Sequence, residues 1–483
     1  MPAISRTVRS VGRGASLLLL AGTAIYATSV LAGSPCRGVA DNLDFFRVTH
    51  PAGIEPVAPP PPRPGRFVAC EYSMGRADLG ELFSSAALFA WAAKHIPYPS
   101  SSGTMAIQQM GILWLALWLF LVVALVRARA PLAALIAVFV VLADPGYLLF
   151  WNSFYADGAL LFALACTTAV LALWAHDPPR SVGGPPSWIG WSIVLVGLAF
   201  VGSWSKMQYF LFAMVLALVL AAFLPAASAR ARRRLAGVGF ILVVLGLAAG
   251  WHFFRGTGPR FPWANNYHAV FAGIARVATD PDDALADLGV SKRFRDLPRK
   301  DVFGRVPPDH PVHAELADLS RVRLLGLYAT DSQALLGVAR RVQAEMARPR
   351  THTRGNYPWS AERPRRSAYD PVWRFGRLRA RLLGVAPWLL WPFLALVGVV
   401  SAAAILRDPL AAPRAAPFLF LSLWFLGQVV AVVLGDGFVA FEQHLVGARM
   451  AFDLLLALVL VELGRGVARA ASPHFSPRFV ASR

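Results

Sequence analysis

The residues best suited to chemistry in this chain are carboxylates and isolated cations standing at the ends of long apolar runs. The segment ADNLDFFRVTH (40–50) brings Asp41, Asp44 and Arg47 within seven residues of one another. A carboxylate held near an apolar surface can take a proton from an attacking hydroxyl. A second carboxylate beside it can raise its pKa or share a metal. Arg47 adds a planar, permanently charged fork that suits phosphate. The plain alternative is a solvated loop with local Asp turns.

Three later segments have the same character. In NSFYADGALL (152–161), Asn152, Tyr155 and Asp157 line a polar pocket at the mouth of an apolar run, or Asp157 or Ser153 caps the helix that begins there. In SWSKMQY (203–209), Lys206 stands alone between two apolar runs, with Gln208 and Tyr209 close by. It either reaches lipid headgroups or supplies a point charge for a lipid-linked phosphate. In GDGFVAFEQHLVGARMAFD (435–453), Asp436, Glu442 and His444 precede an apolar run that contains Arg449, with Asp453 four residues on. An Arg–Asp pair at that spacing is either structural glue or a phosphate holder at the lipid boundary. Cys36 and Cys70 are a candidate disulfide if their segment is exported, and Cys166 reads as packing.

The elements that position these residues are membrane helices. The 483 residues are 56% hydrophobic with mean hydropathy +0.52, and the apolar residues come in runs of about 20, the length of a spanning helix. Barrel-type alternation is absent, so the fold class is an all-α polytopic membrane protein. About ten spans are expected, at roughly 15–33, 104–126, 131–149, 157–175, 188–204, 207–225, 235–254, 384–406, 417–434 and 445–464. The first resembles a secretory signal and is read as a signal anchor.

Arg6, Arg9 and Arg13, Arg127 and Arg129, Arg180, the ARARRR cluster (229–234), Arg407 and Arg414, and Arg465, Arg469, Arg478 and Arg483 all fall on one side if both termini are cytoplasmic. This distribution accounts for the formal charge of +20 without nucleic acid as a partner; membrane lipid is the expected one. The outer segments are then 34–103, 143–158, 203–209, 255–383 and 435–444. The first and fourth, rich in Pro and Arg, are expected to form a mixed extracytoplasmic cap. Three modules follow: 1–254 with seven spans and the first outer loop, the outer domain 255–383, and 384–483 with three spans and a tail. Within the first outer loop, 79–96 reads as an amphipathic helix on the membrane surface and VAPPPPRPGR (57–66) as a stiff connector. Apart from Arg449 and Asp453 the spans hold almost no charge, which disfavours ion-coupled transport and favours chemistry at the outer face.

Taken in order, DNLDFFRVTHPAGI, NSFYADG, SKMQY, YHAVFAGIARVATDPDDALADLGV and GDGFVAFEQHLVGARMAFD resemble the motifs of the polytopic hexose transferases of bacterial cell-surface (S-layer type) glycan biosynthesis, grouped with the GT-C glycosyltransferases. The resemblance covers short blocks between about 40 and 455. It implies a GT-C-like fold in the bacterial cytoplasmic membrane. It also implies transfer of a sugar from a polyprenyl-phosphate donor to a cell-envelope glycan, lipid or protein acceptor on the extracytoplasmic face. The catalytic base falls on Asp44 first and Asp41 second. Arg47, Lys206 and Arg449 would meet the donor phosphate, and Asn152, Tyr155, Asp157, Gln208, Asp436, Glu442 and His444 the sugar or acceptor. This chain departs from the pattern in having Asp157 where the family has glutamate, and FEQH where a more basic EKH is expected. No cofactor is required; a divalent metal, Mg or Mn, is compatible with the outer carboxylates, but no spacing demands it. A non-catalytic flippase of the same lipid and an envelope-assembly scaffold are the competing readings.

Overall fold

A computed structural model describes residues 2–470 except 43, 58–64, 78–83, 177–186, 225–228, 257–261, 300, 304, 351–353, 365, 372–373 and 409–411. Most of the proline-rich connector lies outside the described residues, as do Arg180, Arg478 and Arg483.

The chain opens with α1 (Pro2–Leu31). A short helix, α2 (Phe46–Ala52), follows, and Asp41 starts it: its carboxylate accepts from the Asp44 and Phe45 N–H groups at 3.0 and 3.1 Å. Gly53 ends it in the left-handed region, φ 64°. Strands β1 (Ile54–Pro56), β2 (Glu71–Met74) and β3 (Thr104–Ala106) form an antiparallel sheet in that order, with Ile54 opposite Met74 and Tyr72 opposite Met105.

Between β2 and β3 lies α3 (Ser85–Ala93), capped by the Ser84 hydroxyl. It is half the length of the segment expected at 79–96, of which 79–83 lie outside the described residues. Ser84 and Ser85 point inward and donate to the Ser205 and Val201 carbonyls, while Leu88 and Trp91 point out. A small-residue face of Ala86, Ala87, Ala90 and Ala93 lets α3 press against the body of the protein.

β3 runs directly into α4 (Ile107–Arg127), whose first turn is closed by the Gln109 side chain accepting from the Ala106 N–H. The third apolar run breaks early. α5 (Leu132–Leu142) stops before Asp144-Pro145, where proline lacks the N–H that would continue the ladder. Asp144 then caps the short α6 (Pro145–Leu148). α7 (Asp157–His176) is buried along nearly its whole length and forms the axis of the bundle. Around it come α8 (Ser187–Ser203), α9 (Leu211–Ala221) and α10 (Ala229–Gly256).

The long segment after α10 folds into short helices: α11 (Pro262–Tyr267), α12 (Pro281–Asp287), α13 (Val312–Glu315), α14 (Arg321–Thr330), α15 (Ser332–Met346) and α16 (Phe375–Val385). The chain returns to the bundle with α17 (Leu390–Arg407), α18 (Ala412–Asp436), the single turn α19 (Phe441–His444) and α20 (Val446–Ala470). α7 packs against α5, α8, α18 and α20.

Among the described residues six helical stretches are long and apolar enough to cross a membrane: Gly14–Leu31, Ile107–Arg127, Asp157–His176, Ala231–Phe253, Pro387–Arg407 and Ala412–Asp436. That is fewer than the ten expected. α5 and α9, at 11 residues each, reach only about 17 Å, short of a hydrocarbon core about 30 Å thick.

The segment after α10 is tied to the first loop and to the bundle. Ala40 and Val68 donate backbone hydrogen bonds to Gly355 and Tyr357, Gly355 donates to Gly65, and the Asn356 amide donates to the Gly38 carbonyl. Cys36 and Cys70 form a disulfide that closes the first loop on itself. Deeper in, the fully buried Arg379 of α16 is ion-paired with Asp453 of α20, and its guanidinium also donates to the Tyr147 hydroxyl and the Met346 and Arg348 carbonyls. Arg449 pairs with Glu345 at 3.1 Å and donates to the Arg350 carbonyl. The expected Arg449–Asp453 pair therefore does not form. Both side chains take partners far away in the sequence, because two buried charges on one helix still need their remaining hydrogen-bonding capacity filled from neighbouring elements.

Arg379→Ala strands the Asp453 carboxylate in the bundle and should cost about 3–5 kcal/mol, read as a lowered thermal unfolding midpoint in detergent; a loss under about 1 kcal/mol would contradict this burial. Thiol titration of the denatured, unreduced protein should find one reactive cysteine, Cys166, and all three only after reduction.

Candidate active site

A cavity of about 520 Å³ opens where the two halves of the bundle meet the loops. One side is apolar, made by Phe210 and Leu211 of the α8–α9 turn region, Phe253 of α10, and Val430, Ala431 and Leu434 of α18. The other side is polar: Asn42, Asp44 and Arg47 from the first loop, Lys206 and Gln208 from the turn, Asp436 and His444 around the α18–α20 connection, and His268, Asp301, Arg321 and Arg354 from the segment after α10. Six of the residues singled out in the sequence thus line one cavity, although nearly 400 positions separate the first from the last.

Lys206 owes its position to a turn with no freedom. α3 clamps the turn from outside through the Ser84 and Ser85 hydrogen bonds, and the Ser205 hydroxyl donates to the Gly202 carbonyl. Lys206 is 5% exposed, and its ammonium has no hydrogen-bond partner among the described residues. The nearest carboxylate oxygen, Asp157 Oδ2, is 3.8 Å away and is itself without a hydrogen bond, while Asp157 Oδ1 accepts from the Tyr209 hydroxyl. An ammonium has three donors, and burying them unused is costly. Lys206 is therefore a buried cation at the cavity wall whose donors find no protein acceptor among the described residues.

Asp44 follows the Asp41-initiated turn, with its side chain 26% exposed and one oxygen 3.8 Å from Arg47. Burial opposes its ionisation, but Lys206, then Arg47 and His444, outweigh that effect, and the carboxyl stays ionised below the ordinary aspartate range. Asp436, at the end of α18, accepts from the Gln208 amide and faces two imidazoles, His444 at 3.5 Å and His268 at 4.0 Å.

His268 lies on a π-helical turn that continues α11. Its Nε2 is 3.2 Å from Asp301 Oδ1 and 3.0 Å from the Val302 N–H, so the nitrogen donates to the carboxylate when protonated and accepts from the backbone when neutral. Burial pushes its pKa down, but the carboxylates of Asp301 and Asp436 prevail and raise it. Arg321 donates to the Asn266 carboxamide at 2.6 Å, and its Nη1 is buried without a partner; burial draws its pKa down to about 10.

Other residues expected at the site lie behind the wall. Asn152 is fully buried, and its amide donates to the Leu31 and Arg37 carbonyls at 2.8 Å, fixing where the first loop leaves α1. Tyr155 holds the same loop further on, donating to the Ala40 carbonyl. Asp41 shapes the turn before α2, and Asp157 backs Lys206. Glu442 and Arg449 do not line the cavity.

The polar lining residues Asn42, His268, Asp301, Arg321 and Arg354 do not stand out in the sequence. His268 sits inside the YHAVFAG motif, a usable signal; the two arginines stand among many in an irregular segment and carry none. Among the described residues no group of three or more His, Cys, Asp or Glu could hold a metal ion. Asp44, Asp157 and Asp436 each face a lysine, arginine or imidazole.

Residues 4–471 match the family model described as the YfdI N-terminal transmembrane domain. No curated protein matches the sequence. Among solved structures, the archaeal oligosaccharyltransferase AglB from Archaeoglobus fulgidus, in complex with an inhibitory peptide and a dolichol-phosphate, is similar at 15% identity and a TM-score of 0.39. That similarity covers 97% of this chain and 52% of AglB, so the chain spans about half the length of that protein. The match along almost the whole chain and the apolar helices make this an integral membrane protein, and it belongs to the YfdI N-terminal transmembrane domain family.

Proposed function

We propose that the chain is a membrane glycosyltransferase that moves a sugar, a hexose on the strength of the motif order, from a polyprenyl-phosphate donor to a hydroxyl of a cell-envelope glycan, lipid or protein. The observation that carries this reading is Lys206: a buried ammonium without a hydrogen bond, in a cavity that also holds Asp44 and has one apolar side. A lipid-phosphate sugar needs a cation for its phosphate, an apolar approach for its tail and polar groups for its hydroxyls. All three features occur around the one cavity. On this reading the cavity opens on the extracytoplasmic side of a bacterial cytoplasmic membrane, with both termini in the cytoplasm.

In the transfer, the acceptor oxygen attacks the anomeric carbon as its bond to the phosphate oxygen breaks. Asp44 takes the acceptor proton, and polyprenyl phosphate leaves with its negative charge against Lys206, supported by Arg47. Direct displacement inverts the anomeric centre. Asp436, Gln208 and His444 provide hydrogen bonds for sugar hydroxyls. Each carboxylate is already faced by a cation or imidazole, so no step is routed through a metal.

Asp44 held ionised by Lys206 and Arg47 is a weak base in the empty cavity. A donor phosphate offsets those two cations and lets the carboxylate recover basicity just when the acceptor must be deprotonated. The active form is the carboxylate, so activity is lost as pH falls through its pKa. The acid limb of kcat/KM, which reports the free protein, should therefore lie below the ordinary aspartate range, and the limb of kcat should lie at higher pH than that of kcat/KM. Coincident limbs would contradict this coupling.

Asp44→Asn should lower turnover by roughly a hundredfold or more while leaving polyprenyl-phosphate binding within a few-fold. Lys206→Met should weaken that binding by roughly ten- to a hundredfold, the scale of one hydrogen bond to a charged group. Lipid binding and movement that survive Asp44→Asn, with no sugar transferred by the wild type, would replace the transferase with a flippase.

A further inference from the structure

Asn42 occupies the space between Tyr155, Arg354 and Asp44. Its backbone N–H donates to the Tyr155 hydroxyl at 3.0 Å, and that hydroxyl lies 3.0 Å from the Ala40 carbonyl, to which it donates. The side-chain amide has two orientations. With its oxygen towards Tyr155, the single hydroxyl proton would have to serve both the Ala40 carbonyl and the amide oxygen. The same orientation turns that oxygen towards the Asp44 carboxylate, acceptor against acceptor, and sets the amide nitrogen beside the Arg354 guanidinium, both donating to the one Gln443 Oε1 at 3.4 and 3.3 Å.

Turned the other way, every donor meets an acceptor. The amide nitrogen donates to the Tyr155 hydroxyl at 2.6 Å and to Asp44 Oδ2 at 3.3 Å, and the amide oxygen accepts from Arg354 Nη2 at 2.8 Å. Tyr155 then accepts from Asn42 and keeps its proton for Ala40.

We infer that Asn42 is the positioning residue for Asp44: anchored by Tyr155 and Arg354, its amide fixes the plane of the carboxylate through Oδ2. The inference rests on Asp44 being the base of the transfer reaction. Arg47 approaches the other oxygen, Oδ1, from α2 at 3.8 Å. The remaining charged or titratable groups around Asp44 are Lys206 and Tyr209 from the α8–α9 turn, His444 on α19, Asp436 at the end of α18, and Tyr155 before α7. None of them donates a hydrogen bond to Oδ2 among the described contacts, so Asn42 is what holds that atom. An amide donating to the ionised carboxylate favours that form, and its removal shifts proton affinity upward.

The test uses the full chain in lipid nanodiscs, with polyprenyl-phosphate sugars as donors and pH–rate profiles for the wild type, Asn42→Ala, Asn42→Asp and Asp44→Asn. Asn42→Asp keeps the size and the contact with Arg354, so it remains informative if Asn42→Ala does not fold. The expected result is an acid limb of kcat moved up by about one pH unit in Asn42→Ala, and further in Asn42→Asp, where a second carboxylate faces the first. Turnover at neutral pH should fall roughly ten- to a hundredfold with donor KM within about threefold, because orientation and not binding is lost. Adding Tyr155→Phe to Asn42→Ala should cost little more than Asn42→Ala alone. Lower turnover with an unmoved acid limb, or an effect confined to KM, would overturn the positioning role while leaving Asp44 as base. Full turnover by Asp44→Asn would overturn both.

Discussion

A lysine ammonium buried without a hydrogen bond is the constraint around which the cavity is organised. Lys206 is 5% exposed at the cavity wall, and no protein acceptor among the described residues takes a hydrogen bond from its ammonium. α3 closes the turn from one side through two serine hydroxyls, the fully buried α7 backs it from the other, and Asp157 stops at 3.8 Å with Tyr209 occupying one of its oxygens. A carboxylate any closer would neutralise the lysine and leave it nothing to offer. A tolerated electrostatic cost at a cavity wall, next to an apolar surface, is what a site for a lipid-borne anion requires.

The rest of the molecule brings distant segments to that lysine and keeps them there. The first loop contributes Asp44, held on one side by Asn152 and Tyr155 and on the other by backbone pairing with Gly355 and Tyr357. The segment after α10 contributes His268, Asp301, Arg321 and Arg354. It is anchored in the bundle by Arg379 on Asp453 and by Glu345 on Arg449. Those buried pairs do not line the cavity. They fix the docking of an irregular, arginine-rich segment for which its own short helices supply little packing.

Much of this is legible without coordinates, for a physical reason. Polar residues at the ends of apolar runs carry a cost, so Asp44, Lys206, Gln208, Asp436 and His444 stand out by placement alone. Arg321 and Arg354 do not, since an arginine in a long polar loop among other arginines costs nothing to explain. The i, i+4 spacing of Arg449 and Asp453 suggested a pair, but spacing reports only the local helix; the true partners come from 104 and 74 residues away. Asn152 looked like a sugar ligand because a side-chain amide bonded to backbone carbonyls leaves no trace in sequence. Hydropathy alone carries α5 past Leu142, because Asp144-Pro145 breaks the helix inside a run that stays apolar on both sides.

The central claim is that the anion met by Lys206 is a lipid-linked phosphate, and it is tested most directly by a cryo-electron microscopy structure of the protein with a polyprenyl phosphate. The phosphate should lie within hydrogen-bonding distance of Lys206 Nζ, with the first isoprene units along Phe210, Phe253 and Leu434. A lipid phosphate bound elsewhere, with Lys206 still unpartnered, would contradict the account.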